Sequence, residues 1–329
     1  MSEFFTAENF LALWIFIIGL CIGSFLNVVA LRGLSGESIV FPASHCPVCK
    51  NKLKWWMNIP VFSYLFLRGK CGFCKTDISP LYPAGELFTG LIFLFIYLQY
   101  SLSVETLFFM AASSLLTVMS LTDLKESVIL DYHAYILIIT GFIFNAIANG
   151  GDGALFSIWG GVSGFVIYEI LARSGYLIAG QRAFGEGDSL IAAGIGAFFG
   201  WKMMLVSIAL SVFVMAVFTL PYFFIHSYKT GKKKTCAALI LAVLLIIFSY
   251  VFSKFEIVKT FLGSLIFLFV IIILTFLCAK QILSDMKKRD ENGGNTFCML
   301  PFGPSMAISF LLIMFFSKQL TTFIRAYFG

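Results

Sequence analysis

Three acidic residues and two cysteine pairs carry the chemistry open to this chain. Asp123 stands in Leu121-Thr122-Asp123-Leu124-Lys125 at the end of one apolar run, Asp131 begins the next, and Asp188 closes Gly185-Glu186-Gly187-Asp188 at the head of a third. Charge beside hydrocarbon is expensive, so such residues are read first as functional. Two carboxylates that share a site cannot both ionise easily. The ionised one acts as general base on a water, and the protonated one polarises a peptide carbonyl and later donates to the leaving amine. Gly185 and Gly187 let backbone approach Asp188 closely. These are the parts of an aspartic protease, although spacing alone leaves open whether Asp123 or Asp131 faces Asp188. A helix-end aspartate is also an ordinary cap. Glu169, with Arg173 four residues on, reads as a plain helix-surface ion pair. His45, His133 and His226 lie in separate regions, so no Ser or Cys nucleophile with a paired base is evident and no acyl-enzyme is expected.

The cysteines make a second, separate constellation. Cys46-Pro-Val-Cys49 and Cys71-Gly-Phe-Cys74 are two Cys-x-x-Cys knuckles with 21 residues between them, the standard way to set four thiolates tetrahedrally around zinc. The separation lies just beyond the usual window. Two disulfides or redox-active pairs are the alternatives, but the basic character of the loop assigns it to the cytoplasm, where structural disulfides are rare. Four cysteine ligands leave no open position, so the zinc is expected to be structural, holding a segment too short to build its own core. Cys21, Cys236, Cys278 and Cys298 have no pairing pattern, and the first three, in apolar runs, read as small core residues.

The elements that must position these residues are membrane helices. Of 329 residues, 60% are hydrophobic and 12% charged, against about 25% charged in a soluble domain. That excludes a soluble enzyme, a disordered chain and a secreted disulfide scaffold. The net charge of +6 bears on membrane orientation rather than on nucleic acid. Continuous apolar runs, not alternating ones, point to helices. Ten spans are predicted, near 10–31, 84–101, 104–122, 132–149, 154–176, 188–200, 203–226, 235–252, 260–279 and 303–317. The sixth is short and reads equally as a half-span continuous with the next through Gly200-Trp201-Lys202. Met1-Ser2-Glu3 lacks the basic residues of a signal peptide, so the first run is expected to be an uncleaved anchor with its N-terminus outside. With that topology 18 of the 23 basic residues fall on the inner side, as the positive-inside rule requires, and all three aspartates lie at the cytoplasmic surface. Gly160-xxx-Gly164 and Gly196-xxx-Gly200 would allow close helix approach.

The sequence resembles the type IV prepilin peptidase family, bifunctional inner-membrane enzymes that cleave leader peptides and N-methylate the new N-terminus. The similarity runs through Gly23-Ser24-Phe25-Leu26-Asn27 with Arg32, Pro42-Ala-Ser-His-Cys46-Pro-Val-Cys49, Asn58-Ile59-Pro60, Leu67-Arg68-Gly69-Lys70-Cys71 and Tyr82-Pro83-Ala-Gly-Glu86. It continues through Asp123-Leu124 with Asp131, Gly185-Glu-Gly-Asp188 to Gly200-Trp201, and Leu300-Pro301-Phe302-Gly303-Pro304. Leu130 and Leu190 stand where the family usually has Pro and Lys, and about 70 extra residues precede Pro301.

The resemblance implies an all-α polytopic membrane protein: a family core of eight spans plus an inserted pair, with a small cytoplasmic zinc-knuckle domain between spans one and two. It implies an N-terminal anchor over 1–31, a four-cysteine methyltransferase region over 32–83, a peptidase core over 84–226, an inserted two-helix segment over 227–299 and a last span within 300–329. It implies Asp123 and Asp188 as the catalytic pair, with Asp131, Gly185 and Gly187 supporting, zinc on Cys46, Cys49, Cys71 and Cys74, and S-adenosylmethionine as methyl donor. The implied partners are prepilins or secretion pseudopilins with an apolar N-terminal helix, and the implied location is the bacterial inner membrane. A presenilin-like or preflagellin-type peptidase without methylation is an alternative, against which the four cysteines argue. A transporter relaying protons on carboxylates would place them near mid-bilayer and show inverted repeats. A non-catalytic zinc-knuckle scaffold is a third.

Overall fold

A computed structural model describes residues 7–179, 182, 184–229 and 302–328. The described elements are α1 (Ala7–Ser35), a 3-10 turn (Trp55–Asn58), α2 (Phe62–Phe66), α3 (Leu81–Tyr100), α4 (Val104–Glu126), α5 (Asp131–Ala179), α6 (Glu186–Lys229) and α7 (Gly303–Phe328). Two isolated bridges are the only β-type pairing among the described residues. Among the described residues six helices, all but α2, are long and apolar enough to cross a membrane. The protein is therefore a helical, multi-pass membrane protein, with no strand among the described residues. The predicted spans at 235–252 and 260–279 lie outside the described residues.

Two of the six helices are too long for one crossing, which takes about 20 residues, and each is broken. In α5 the break falls at Asn149 and Gly150 (φ 60°, ψ −138°). Phe142 before it and Ile158 after it line the same groove, so the two halves lie side by side as a hairpin. They correspond to the predicted fourth and fifth spans. In α6 the break is Gly200 (φ 76°, ψ 172°), a conformation that favours glycine. Ser211, eleven residues later, hydrogen-bonds Tyr168 at 3.2 Å, and Tyr168 also packs on Phe184, four residues before Asp188. The chain has thus reversed at Gly200, and the sixth predicted span is a hairpin arm rather than a half-span continuing into its successor. The break frees carbonyls at the end of the first arm. Asn145 Nδ2 donates to Ala197 O (2.8 Å) and Phe198 O (3.1 Å), and Ser157 Oγ donates to Ala197 O (2.8 Å).

An aromatic cluster joins four helices. Phe109 of α4 meets Phe144 of α5 at 5.4 Å, Phe144 meets Phe198 of α6 at 5.7 Å, and Phe198 meets Phe310 of α7 at 5.4 Å between ring centroids. Such pairs each contribute about 0.5–1.5 kcal/mol beyond area burial. From this plane each helix runs roughly 10–20 Å to the end that carries Asp123, Asp131, Asp188 or Gly303, so those ends gather at one level. The two glycine motifs do bring helices together: a Cβ on Gly160 would fall 2.9 Å from Gly200 Cα and against Gly196 backbone. Cys21 is exposed on the outside of α1, not in the core as its apolar surroundings suggested.

These helices form one compact unit, Met1–Val212 with Pro301–Gly329, and Phe213–Leu300 forms a second, of which only the end of α6 is described.

Candidate active site and metal centre

Asp123 occupies the last turn of α4. The helix stops just beyond it because Ser127 takes the left-handed conformation (φ 53°, ψ 38°), its N–H closing on Asp123 O. Asp188 lies in the first turn of α6. Both are buried, at 6% and 5% exposure, and each has one oxygen fixed by a glycine N–H. Gly185 N donates to Asp188 Oδ2 at 2.9 Å, and Gly303 N donates to Asp123 Oδ2 at 2.7 Å. Each glycine follows a phenylalanine, and the rings of Phe184 and Phe302 pack 4.8 Å apart, with Tyr168 5.7 and 6.3 Å from them. This aromatic contact draws the two donors, and with them the two carboxylates, to one place, where the charge of Asp123 acts on Asp188. Asp188 Oδ1 is buried without a hydrogen-bond partner.

Asp131 is different. It opens α5 with an exposed side chain and has no glycine donor comparable to those of the other two. Of the two candidates that spacing left open, the geometry sets Asp123, not Asp131, beside Asp188. Gly187 serves by close approach: a Cβ there would lie 2.6 Å from Ile129 Cβ, so the α4–α5 connection rests directly on the start of α6.

Three features escaped the sequence reading. The first is Gly303 as partner of Asp123, 180 residues away; its motif was visible, but a backbone N–H has no sequence signature. The second is Arg182. It donates to Glu169 Oε2 at 2.8 Å and to Glu186 Oε1 at 3.3 Å, and its charge also acts on Asp188. Glu169 does pair with Arg173 at 2.7 Å. It is also half of the Arg182 pair and accepts from Ser189 Oγ at 3.2 Å, so it braces the segment leading into Asp188 rather than only decorating a helix. The third is Glu86, treated below.

The four cysteines meet in the segment between α1 and α3. Their sulfurs lie within 4.8 Å of one another, and Cys46 and Cys74, from different knuckles, are 3.8 Å apart. Zn–S bonds of about 2.3 Å separate tetrahedral sulfurs by about 3.8 Å, so the set fits zinc. The knuckles are twins. Lys50 N bonds Cys46 O and Cys46 N bonds Asn51 O; Lys75 N bonds Cys71 O and Cys71 N bonds Thr76 O. Lys50 and Lys75 share a left-handed turn, φ 58° and 62°. Bridges His45–Lys52 and Lys70–Asp77 close the two loops. The Thr76 hydroxyl and amide bring the Cys74 thiol down to about 6, and the amides of Cys74 and Phe73 lower that of Cys71. At Cys49 the Asn51 amide favours the thiolate, but burial and the three other sulfurs outweigh it and push the thiol up to about 11. Four crowded thiolates need a cation to balance them, and thiolates are the ligand form.

Comparison with known proteins decides the family. Residues 17–100 match the bacterial peptidase A24 N-terminal domain and residues 110–220 the type IV leader peptidase family. The prepilin leader peptidase/N-methyltransferase of Neisseria gonorrhoeae is 34% identical over 220 residues, covering 59% of this chain and 76% of that protein. The chain belongs to the type IV leader peptidase family. The relative of the same name from Klebsiella pneumoniae is 31% identical over 210 residues, covering 60% of the chain and 90% of the relative. The one from Myxococcus xanthus is 35% identical over 194 residues, covering 59% of the chain but 58% of the relative. No solved structure matches the chain. The type IV leader peptidase match contains Asp123 and Asp188 and stops at 220, so Gly303 completes the Asp123 environment from beyond it.

Proposed function

We propose that the chain cleaves the leader peptides of type IV prepilins or pseudopilins at the cytoplasmic membrane surface and N-methylates the residue so exposed. Asp123 and Asp188 are the catalytic pair. The observation that carries this is their geometry: two buried carboxyl groups from different helices, each pinned through one oxygen, with Asp188 Oδ1 left over. Pinned oxygens hold the reactive ones in place without reorganisation during the reaction. One carboxylate takes a proton from a water as that water attacks the scissile carbonyl carbon. The other carboxyl group donates to the carbonyl oxygen, and the proton held after attack passes to the leaving amine as the C–N bond breaks. Asp188 Oδ1 is the atom at which a proton or the water is held. Asp131, exposed at the start of α5, has a supporting role, and Gly185 and Gly187 shape the approach.

The substrate's apolar helix lies in the bilayer. An apolar groove of about 460 Å³ between the α5 hairpin and α6 includes Phe142, Val162 and Leu190, and Leu190 is two residues from Asp188, so it lies beneath the cleavage site. Cys46, Cys49, Cys71 and Cys74 hold a structural zinc, which ties the two knuckles together. S-adenosylmethionine supplies the methyl group, and 32–83 is the methyltransferase region. The N-terminus is outside; 1–31 is the anchor, 84–226 the peptidase core, 227–299 the insertion and 300–329 the closing helix. The relatives' names support peptidase and methyltransferase together over a peptidase alone.

Incubating purified enzyme with a prepilin and labelled S-adenosylmethionine tests both activities. The expected product is shortened by its leader and one methyl heavier at its N-terminus by mass. An intact prepilin contradicts the peptidase, and a shortened, unmethylated one contradicts the methyltransferase.

A further inference from the structure

Buried charged groups near the ends of two spans tie the intervening segment to α1 and α3. Arg32, in the last turn of α1, is 8% exposed. It donates from Nη1 to Ser38 O at 2.8 Å and from Nη2 to Pro42 O at 2.7 Å. Glu86, in α3, is buried, and its Oε2 accepts from Val61 N at 2.7 Å; Ser24 of α1 hydrogen-bonds the same carboxylate. Val61 has φ 61° and ψ −49°, which a β-branched residue adopts only when its surroundings impose it.

Each tie displays apolar side chains. Val40 and Phe41, between the two carbonyls held by Arg32, are 66% and 76% exposed. After Val61, Phe62, Leu65 and Phe66 share one face of α2 and are 55%, 64% and 80% exposed, and Trp55 is 80% exposed. In water, such a patch on so small a module would be a liability. Both ties, however, end on residues of membrane-crossing helices, so these side chains sit where α1 and α3 enter the bilayer. Exposed Lys52, Lys54 and Arg68 flank Trp55 and α2. Aromatic and aliphatic side chains bordered by lysine and arginine match an interfacial segment on an anionic leaflet.

We propose that 38–42 and 52–68 form a peripheral membrane anchor. Phe41, Trp55, Phe62 and Phe66 enter the headgroup region, and Lys52, Lys54 and Arg68 pair with anionic lipid phosphates. The four-cysteine module is thereby held on the bilayer surface instead of swinging free on its linkers. This rests on the membrane placement of α1 and α3, not on the peptidase reading.

The test uses the full chain with Trp14→Phe, Trp56→Phe, Trp159→Phe and Trp201→Phe, leaving Trp55, in nanodiscs of phosphatidylcholine with or without phosphatidylglycerol. Resistance of 32–83 to trypsin checks that the module is folded. Lipids brominated near the headgroup are expected to quench about half of the Trp55 emission, more strongly with phosphatidylglycerol. Lys52→Gln, Lys54→Gln and Arg68→Gln together should remove that lipid dependence. Unquenched, water-like emission in a folded module overturns the proposal. So does quenching that appears only after a prepilin is added, which would assign the surface to substrate. Equal quenching in the two lipid mixtures overturns the charge pairing.

Discussion

The two chemical centres are built in opposite ways. The cysteine cluster is local: four thiols within Cys46–Cys74, on two short loops that repeat the same backbone turn and the same hydrogen bonds. The aspartate centre is distributed. It needs the end of α4, the start of α6 and the start of α7, and one of its key hydrogen bonds spans 180 residues. A local centre depends on its metal for order. A distributed one depends on the helix packing that brings three ends to one level. Damage to either should therefore stay largely within it.

Metal loss separates the two centres most completely. Cys46→Ser with Cys71→Ser should take bound zinc from one per chain to none by elemental analysis and open 32–83 to protease. Leader cleavage should hold within about tenfold, because local unfolding need not spread to a separately packed bundle. Abolished cleavage in a correctly inserted double variant would break the comparison. Gly303→Ala comes next. The added Cβ would lie 2.8 Å from Asp123 Oδ2, and displacing a reacting carboxylate by about 1 Å costs about 100-fold in rate. Steady-state cleavage should show this in kcat with KM little changed and zinc content intact.

Glu169→Gln should be milder. It leaves Arg182, 20% exposed, with the exposed Glu186 and the Phe184 carbonyl as its remaining partners, and loosens the entry to Asp188. A loss of about tenfold in cleavage rate follows from weakening the charged hydrogen bonds of Glu169 with Arg182 and Arg173, with methylation of a pre-cleaved substrate unchanged. Arg173→Ala is the smallest. Its side chain is 71% exposed, so stability should change by under about 1 kcal/mol by thermal unfolding. Equal losses of cleavage rate from these last two would show that Glu169 is a surface ion pair after all.

Much of this was legible beforehand, for physical reasons. Hydrocarbon admits only helices and closed barrels, and continuous rather than alternating apolar runs select helices, so the helices announce themselves in the sequence. Two Cys-x-x-Cys pairs are visible in a sequence, and the sulfurs of Cys46, Cys49, Cys71 and Cys74 do meet in a cluster that could hold a metal. Which aspartate stands beside Asp188 was not readable from spacing, because Asp131 was an equal candidate; the contacts that set Asp123 there, Gly303 N and the Phe184–Phe302 pair, join residues far apart in sequence. The reversal at Gly200 was hidden because a short apolar run reads alike as a full arm or a half-span. Glu169 was under-read because only its i+4 partner is visible in one dimension, while Arg182 reaches it from a loop. Cys21 was misread because apolar neighbours in a membrane helix face lipid as often as core.

The central claim is that Asp123 and Asp188 act together. Its most direct test is single-turnover cleavage of a prepilin by Asp123→Asn and by Asp188→Asn, each checked for membrane insertion and for wild-type zinc content. The account predicts that either change lowers the rate by about 1,000-fold or more, and that the double variant is little worse than either alone, as for groups working as a unit. Cleavage near the wild-type rate by either single variant would contradict it.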